Sequence, residues 1–368
     1  MNVLIVGTNG VLARNFTENL CLVRDGKIRS RAALRIEHIF EHDPAADPTR
    51  LEKCCNEADF VLDFSGTEDV QNEGTETALK KLLRKEGVVC PLLSLCTKEN
   101  TNKYAEALFQ HKKTTCAPVY LYPIPEVFGK WDYTAGQTTV SGLCQAAANG
   151  QGLPELTGTE EHELLCVDDL VEDLLDILEG EKLPIEPEGM VCLPTKTYRV
   201  TMGEVAELLA SFAAQQEKQA MPEIPVGSFP NKLFSVYLSY LPKERICYPL
   251  DLRVTDGGEQ FRVMTTEKTG QVTINRYRPG TTLGLHWHNT KWEQYMVISG
   301  HGLVRERRVG SDEVLEFDVS GEHIQVVQMI PGYVHSITNL SETEDLLILI
   351  WASELFNPKH PDTNTAEI

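Results

Sequence analysis

The sequence predicts two fold classes in series: a doubly wound parallel α/β domain, then a small all-β barrel. Three observations predict this. Short apolar runs alternate with helical periods along the first two thirds of the chain, the pattern of parallel strands joined by crossover helices. A glycine-rich turn separates the first such run from the first helical period. From about residue 250 only short alternating runs remain, divided by Gly, Asn, Asp and Ser turns, as in a sandwich or barrel. The change of character falls near residue 248, so the expected domains are 1–248 and 249–368.

Each element follows from local pattern. "MNVLIVGTNGVLARNFTENL" is a strand, a tight turn and a helix. "IEHIFEHD", "ADFVLDFSG", "VVCPLLSLC" and "PVYLYPIP" read as further strands, with helices in "EGTETALKKLLRKEG" (residues 73–87) and "NTNKYAEALFQHKK". In "LCVDDLVEDLLDILEG" Leu170, Leu174 and Leu178 share one helical face, and Gly180 is placed to end the helix. Thr201 and Glu204 have capping-box spacing at the next helix start. The barrel strands are expected in "GQVTINRYRPG", "EQYMVISG", "HGLVRERRVG", "EVLEFDVSG" and "DLLILIWASEL". The tail "NPKHPDTNTAEI" is polar and expected to be loose.

Charge and composition narrow the function. The formal charge is −20, from 34 basic and 54 acidic residues, which opposes general binding to nucleic acid or an anionic membrane. No run of 18 apolar residues occurs and the first residues lack a basic signal-peptide region, so the expected location is cytoplasmic. The ten cysteines form no CxxC pair and none lies beyond Cys247. They read as reduced, mostly buried thiols, and any metal site in the barrel must use histidine and carboxylate.

Two regions carry chemistry. In the first, Gly7 and Gly10 follow a strand and precede a helix, with Ala13 in the third small position. Such glycines let backbone N–H groups approach a pyrophosphate at the helix N-terminus. Asp43 or Glu41, at the end of the second strand, could take a ribose 2′-hydroxyl; a carboxylate there repels a 2′-phosphate, favouring NAD over NADP. In the second region, "GTTLGLHWHNTKWEQYMVISG" puts His286 and His288 two apart, with Glu293 five residues on and His335 waiting in "PGYVHSITN". Alternate residues of a strand share a face. Imidazoles and a carboxylate so placed look like a metal site suited to Zn²⁺, although Mn, Fe and Ni accept similar ligands.

The N-terminal domain resembles the extended short-chain dehydrogenases of the nucleotide-sugar type, in "VLIVGTNGVLARNF", "ADFVLDFSG" and "LLCVDDLVEDLL". The resemblance implies a Rossmann-like NAD(P)-binding domain with Ser65 and Gly66 beside the cofactor. It also implies a catalytic hydroxyl residue and a Tyr-x-x-x-Lys pair, whose lysine lowers the tyrosine pKa. Tyr104 sits at the tyrosine position, but Leu108 stands where the lysine belongs. Ser94 or Thr97 could supply the hydroxyl, with Cys96 at the matching site, and Lys103, Lys112 and Lys113 lack the helical spacing. A tyrosine near its ordinary pKa of about 10 is a poor base at neutral pH.

The C-terminal spacing is similar to the two motifs of the cupin superfamily: Gly280, His286, His288, Glu293 and Gly300, then Pro331, Gly332, His335 and Asn339. That resemblance implies a jelly-roll barrel with His286, His288, Glu293 and His335 as metal ligands at its mouth. Over its full length, with "YLSYLP", "HWHNTKWE" and "LFNPKHPDT", the chain resembles a family of two-domain capsular polysaccharide biosynthesis proteins. The family implies a homodimer acting on a UDP-linked 2-acetamido-2,6-dideoxy-4-keto hexose, for N-acetyl-L-fucosamine synthesis. Its zinc cupin epimerises C3 and its reductase domain reduces the C4 ketone with NADPH. Lys291, Tyr295 and Tyr333 are the acid–base candidates nearest the ligands in sequence. Related sugar epimerases show Asp-x-Arg-Gly before the barrel, where this chain reads "DGGEQF" from Asp256. The competing expectation is a metal- or sugar-nucleotide-binding module without chemistry.

Overall fold

A computed structural model describes residues 1–43, 48–67, 90–115, 118–132, 139–154, 159–180, 190–255, 257–266 and 270–368. The helix expected over 73–87 and the departure at Asp256 lie outside the described residues.

Strands β1 (Asn2–Val6), β2 (His38–His42), β3 (Phe60–Gly66), β4 (Leu92–Thr97) and β5 (Val119–Ile124) form a parallel sheet in the order β2-β1-β3-β4-β5. Strand alternation assigns the two faces. Val3, Ile5, Leu62 and Phe64 pack on one side against α1 (Val11–Arg24) and the later helix α5 (Val167–Glu179). Leu4, Val6 and Val61 pack on the other against α2 (Pro48–Glu57) and α3 (Thr101–Thr115). Helices on both faces explain why β3 is buried at every residue and reads as a continuous apolar run. Phe16 of α1 meets Phe64 with ring centroids 5.9 Å apart, and truncating such a side chain costs about 3–5 kcal/mol.

The rest of this unit comprises α4 (Val140–Ala148) and a three-stranded sheet of β6 (Glu126–Phe128), β7 (Glu161–Cys166) and β8 (Tyr198–Thr201). Leu170, Leu174 and Leu178 of α5 are buried, and the helix ends at Gly180 with φ +78°. Helix α6 (Met202–Lys218) opens on the expected capping box. Thr201 N–H donates to Glu204 Oε2 at 2.7 Å, and Glu204 N–H donates to Thr201 Oγ1 at 3.1 Å. Helices α7 (Phe229–Ser239) and α8 (Lys243–Ile246) follow. Two compact units emerge: Met1–Leu209 with Phe229–Leu241, and Ala210–Ser228 with Pro242–Ile368.

Among the described residues of the second unit, the named strands pair antiparallel. One sheet runs β16 (Val326–Met329), β13 (Glu293–Ser299), β18 (Leu346–Ala352), β11 (Gln271–Tyr277), β10 (Gly258–Thr265), β9 (Asp251–Thr255). The other runs β15 (Val314–Ser320), β14 (His301–Arg308), β17 (Tyr333–Asn339), β12 (Thr282–Trp287), β19 (Asn364–Thr365). Alternate residues of these strands, including Tyr295, Val297, Val304, Ile337, Leu346 and Ile348, form the shared core. A Rossmann-like parallel domain followed by a cupin-type barrel is therefore the observed fold. The segment before it joins in: Thr265 N–H donates to Gln219 O at 2.8 Å, and Met221 N–H to Thr265 O at 2.7 Å.

One expectation is corrected. The tail is not loose over residues 362–366. Asn364 and Thr365 pair with Trp287 and His286, and Ala366 N–H donates to Leu285 O at 3.1 Å. Its polarity reflects backbone and carboxylate hydrogen bonding, which composition does not distinguish from solvation.

Candidate functional site

The barrel brings His286, His288, Glu293 and His335 together, with one potential ligand atom from each lying within 4.8 Å of the others. Local backbone makes this possible. Gly284, at φ +97°, lies so close to β17 that a Cβ would sit 2.8 Å from His335 O. Leu285 then takes φ +53° within a register shift between Gly284 and His286, a conformation costing about 1–2 kcal/mol for a residue with a side chain. This bulge re-aims His286. His288 lies just beyond the end of β12, so the two imidazoles converge through a bulge and a strand end, not a regular strand.

Each imidazole turns Nδ1 to a backbone carbonyl. His286 Nδ1 is 2.9 Å from Gly284 O, His335 Nδ1 is 3.3 Å from Tyr333 O, and His288 Nδ1 bonds Asp362 O. A carbonyl only accepts, so Nδ1 carries the proton and Nε2 keeps its lone pair. Nε2 of His335 and Nε2 of His286 approach to 3.2 Å, and His288 Nε2 has no hydrogen-bond partner among the described residues. Two ring nitrogens that close either share a proton or hold a positive centre between them. Burial pushes His286 and His335 towards the neutral form, His335 down to about 3, with the neighbouring imidazole adding to the effect. Neutral imidazoles converging beside a carboxylate fit a divalent cation.

Glu293 is buried with them, its Oε1 2.6 Å from Lys291 Nζ and 3.8 Å from His288 Nε2, its Oε2 3.7 Å from His335 Nε2. Burial alone would raise its carboxyl, but the Lys291 ammonium beside it holds it well below the usual carboxylate range. Tyr295 is buried and donates to Glu293 Oε2 at 3.2 Å. Burial, then Glu293, pushes its phenol well above 10, which makes it a fixed donor and a poor base. Tyr333 is half-buried, two residues before His335 on β17.

In the first unit the sheet order reverses between β1 and β3, placing a crevice at their carboxyl ends. Gly7 has φ +81° there, and a Cβ on it would lie 2.8 Å from Ser65 N. Gly10 caps α1, which has no side-chain cap and no acidic residue in its first turn, and Ala13 is fully buried. Asn9 bonds the Asp43 carboxylate, so Asp43 borders the glycine turn. This cradle fits a pyrophosphate and ribose.

The expected reductase groups are less well assembled. Tyr104, Leu108 and His111 are buried on one face of α3, while Lys103, Lys112 and Lys113 are exposed. The Tyr104 ring packs so close to Gly66 that a Cβ there would lie 2.8 Å away. Ser65 and Ser94 hydroxyls donate to the fully buried Asp63 at 2.6 and 2.9 Å, and Thr97 Oγ1 accepts from Asn100. Cys96 is buried, which pushes its thiol up to about 12.

Sequence reasoning missed two residues. Asp362 accepts hydrogen bonds from the loop after His288. Glu306 pairs with His335 across β14 and β17, while His335 pairs with His286 across β17 and β12, so the three form one inward-facing row. Glu306 is 1% exposed, and burial pushes its carboxyl up to about 7. The alternation Gly302, Val304, Glu306 was the available signal.

Comparison with known proteins agrees with both halves. A family described as the polysaccharide biosynthesis C-terminal domain matches residues 254–364. A UDP-2-acetamido-2,6-beta-L-arabino-hexul-4-ose reductase of Pseudomonas aeruginosa is 26% identical over all of this chain and 99% of its own length. The capsular polysaccharide assembling protein CapF of Staphylococcus aureus is 30% identical with a TM-score of 0.86, each chain covered fully. A CapF structure with the inhibitor 3-isopropenyl-tropolone gives 30% identity, full coverage of both chains and a TM-score of 0.85. Alike in sequence and in fold from end to end, the chain belongs to the CapF family of capsular polysaccharide proteins.

Proposed function

We propose that this chain is a nucleotide-sugar epimerase whose barrel inverts C3 of a UDP-linked 2-acetamido-2,6-dideoxy-4-keto hexose. The observation behind this is the convergence of three imidazole Nε2 atoms on Glu293. These four residues would hold one divalent metal, with zinc best matched to the donor set. When bound, the metal supplies Lewis-acid stabilisation of the oxyanion that develops at the C4 carbonyl as C3 loses its proton. The protein's own groups do the rest. Lys291 places an ammonium beside Glu293, where it neutralises charge and can donate a proton. Tyr333 is the other candidate for proton transfer, while Tyr295 holds Glu293 in place. Inversion requires proton removal from one face of C3 and return to the other.

The first unit would bind NAD(P)(H) at Gly7, Gly10, Ala13, Asp43, Ser65 and Gly66. The substrate named for the Pseudomonas aeruginosa relative, a UDP-linked hexul-4-ose, supports both the sugar class and a reductive second step. Leu108 in place of lysine argues that this step is slow. The protein is proposed to work as a cytoplasmic homodimer in capsular precursor synthesis. The test is NMR of the UDP-4-keto sugar with metal-loaded protein in D₂O. Loss of the C3 proton signal supports the reading; a bound but unexchanged sugar establishes a binding module instead.

A further inference from the structure

We infer that Asp362 is a positioning residue for the metal centre, clasping the His288 ligand and the loop that joins it to Glu293. The inference rests on the metal-site reading above. His288 and Glu293 are separated by residues 289–292, a short loop whose flexibility would blur both ligands. One side chain fastens its first three residues, while Ser353 Oγ accepts from Trp292 N at 3.1 Å. Asp362 Oδ1 accepts from Asn289 N at 2.7 Å and Asn289 Nδ2 at 2.8 Å. Its Oδ2 accepts from Thr290 N at 2.8 Å, Thr290 Oγ1 at 3.3 Å and Lys291 N at 3.0 Å. The backbone of the same residue acts on the ligand itself, because Asp362 O accepts from His288 Nδ1.

The two halves of this contact serve different ends. The carboxylate collects three consecutive amide donors, which fixes the loop and the direction in which Lys291 leaves it. The carbonyl sets the His288 tautomer, leaving Nε2 as the lone-pair atom in the cluster. Thr363 Oγ1 lies 3.5 Å from the same Nδ1, and Asn364 and Thr365 continue as β19 beside Trp287 and His286. The clasp thus reaches both His286 and His288 from outside the ligand set. Outer partners of this kind change metal affinity by about 10–100-fold when removed.

The experiment measures zinc affinity of the full chain by competition with a chromophoric chelator, for wild type, Asp362→Ala, Asp362→Asn and His288→Ala. The imidazole ¹⁵N signals are recorded in parallel. Expected are high affinity in wild type, loss of binding in His288→Ala, and binding about 10–100-fold weaker in Asp362→Ala. Asp362→Asn, which keeps one acceptor oxygen and the volume, should fall between. In wild type the His288 ¹⁵N pattern should be that of a single Nδ1–H tautomer; in Asp362→Ala, where the residue 362 carbonyl remains but the carboxylate no longer holds the loop against it, the pattern should become mixed. Equal zinc binding by wild type and His288→Ala would remove the metal site itself. Wild-type affinity and an unmixed tautomer in both Asp362 variants, with His288→Ala empty, would overturn the clasp alone. If Asp362→Ala does not fold, Asp362→Asn decides by the same two readouts.

Discussion

Glu306→Gln tests the inward-facing row of the barrel through its pH dependence. Glu306 is 1% exposed, its Oε1 has no hydrogen-bond partner among the described residues, and its Oε2 has only Ile330 N–H at 3.4 Å. Burial therefore favours the protonated form and moves the carboxyl from 4.5 to about 7. A carboxyl raised in the folded state binds a proton there that the unfolded chain has released. Stability then falls as pH rises through the window from 4.5 to 7. Between pH 5 and pH 8 this one group should cost about 2–3 kcal/mol, at 1.36 kcal/mol per pKa unit. The amide introduced by Glu306→Gln cannot ionise, so the stability difference, variant minus wild type, should rise by that amount over the same interval. Any constant cost of burying the amide cancels. Opposite contributions from His286 and His335, which favour the fold as pH rises, also largely cancel. The assay is urea unfolding of chelator-treated protein, followed by tryptophan fluorescence of the barrel, where Trp292 and Trp351 lie 4.4 Å apart. A difference that stays constant within about 0.5 kcal/mol from pH 5 to pH 8 would refute the argument.

Three further outcomes follow from the same reasoning. Gly7→Ala should lose NAD(P)H binding, measured by fluorescence titration, and destabilise the first unit by about 2–3 kcal/mol, because the added Cβ meets Ser65 N at 2.8 Å under a positive φ. With Leu108 fully buried and Tyr104 packed against Gly66, oxidation of NADH or NADPH by the keto sugar should be very slow. Turnover above about 1 s⁻¹ would show that another proton relay operates. In chelated protein the neutral imidazoles should make the barrel less stable as pH falls below 6.5 towards about 3, the window set by His335. His335→Ala should flatten that acid limb in circular-dichroism titrations.

The parts of the site that the sequence makes legible are those written in short covalent spacing. His286, His288 and Glu293 occupy eight consecutive positions, and the glycine turn after β1 is local as well. Tyr104, Leu108 and His111 recur at helical spacing and end up on one buried face, as that periodicity indicates. The bulge at Leu285 escapes pattern reading because its cause is the close approach of β17 at Gly284. Asp362 escapes for a different reason: it meets His288 across 74 residues of sequence, so nothing near either residue announces the contact. Glu306 lies in a legible alternation, but a charged residue in a strand is ordinarily assigned to the solvent face.

The most direct test of the account is the dependence of C3 exchange on metal occupancy. Metal-free protein is titrated with zinc in D₂O in the presence of the UDP-linked 2-acetamido-2,6-dideoxy-4-keto hexose, and loss of the C3 proton signal is followed by NMR. The account predicts exchange that rises with zinc, saturates at about one ion per chain, and is absent in His288→Ala at any zinc concentration. Exchange at full rate in chelated protein or in His288→Ala would contradict it, and so would a fully zinc-loaded protein that binds the sugar and leaves the C3 proton in place.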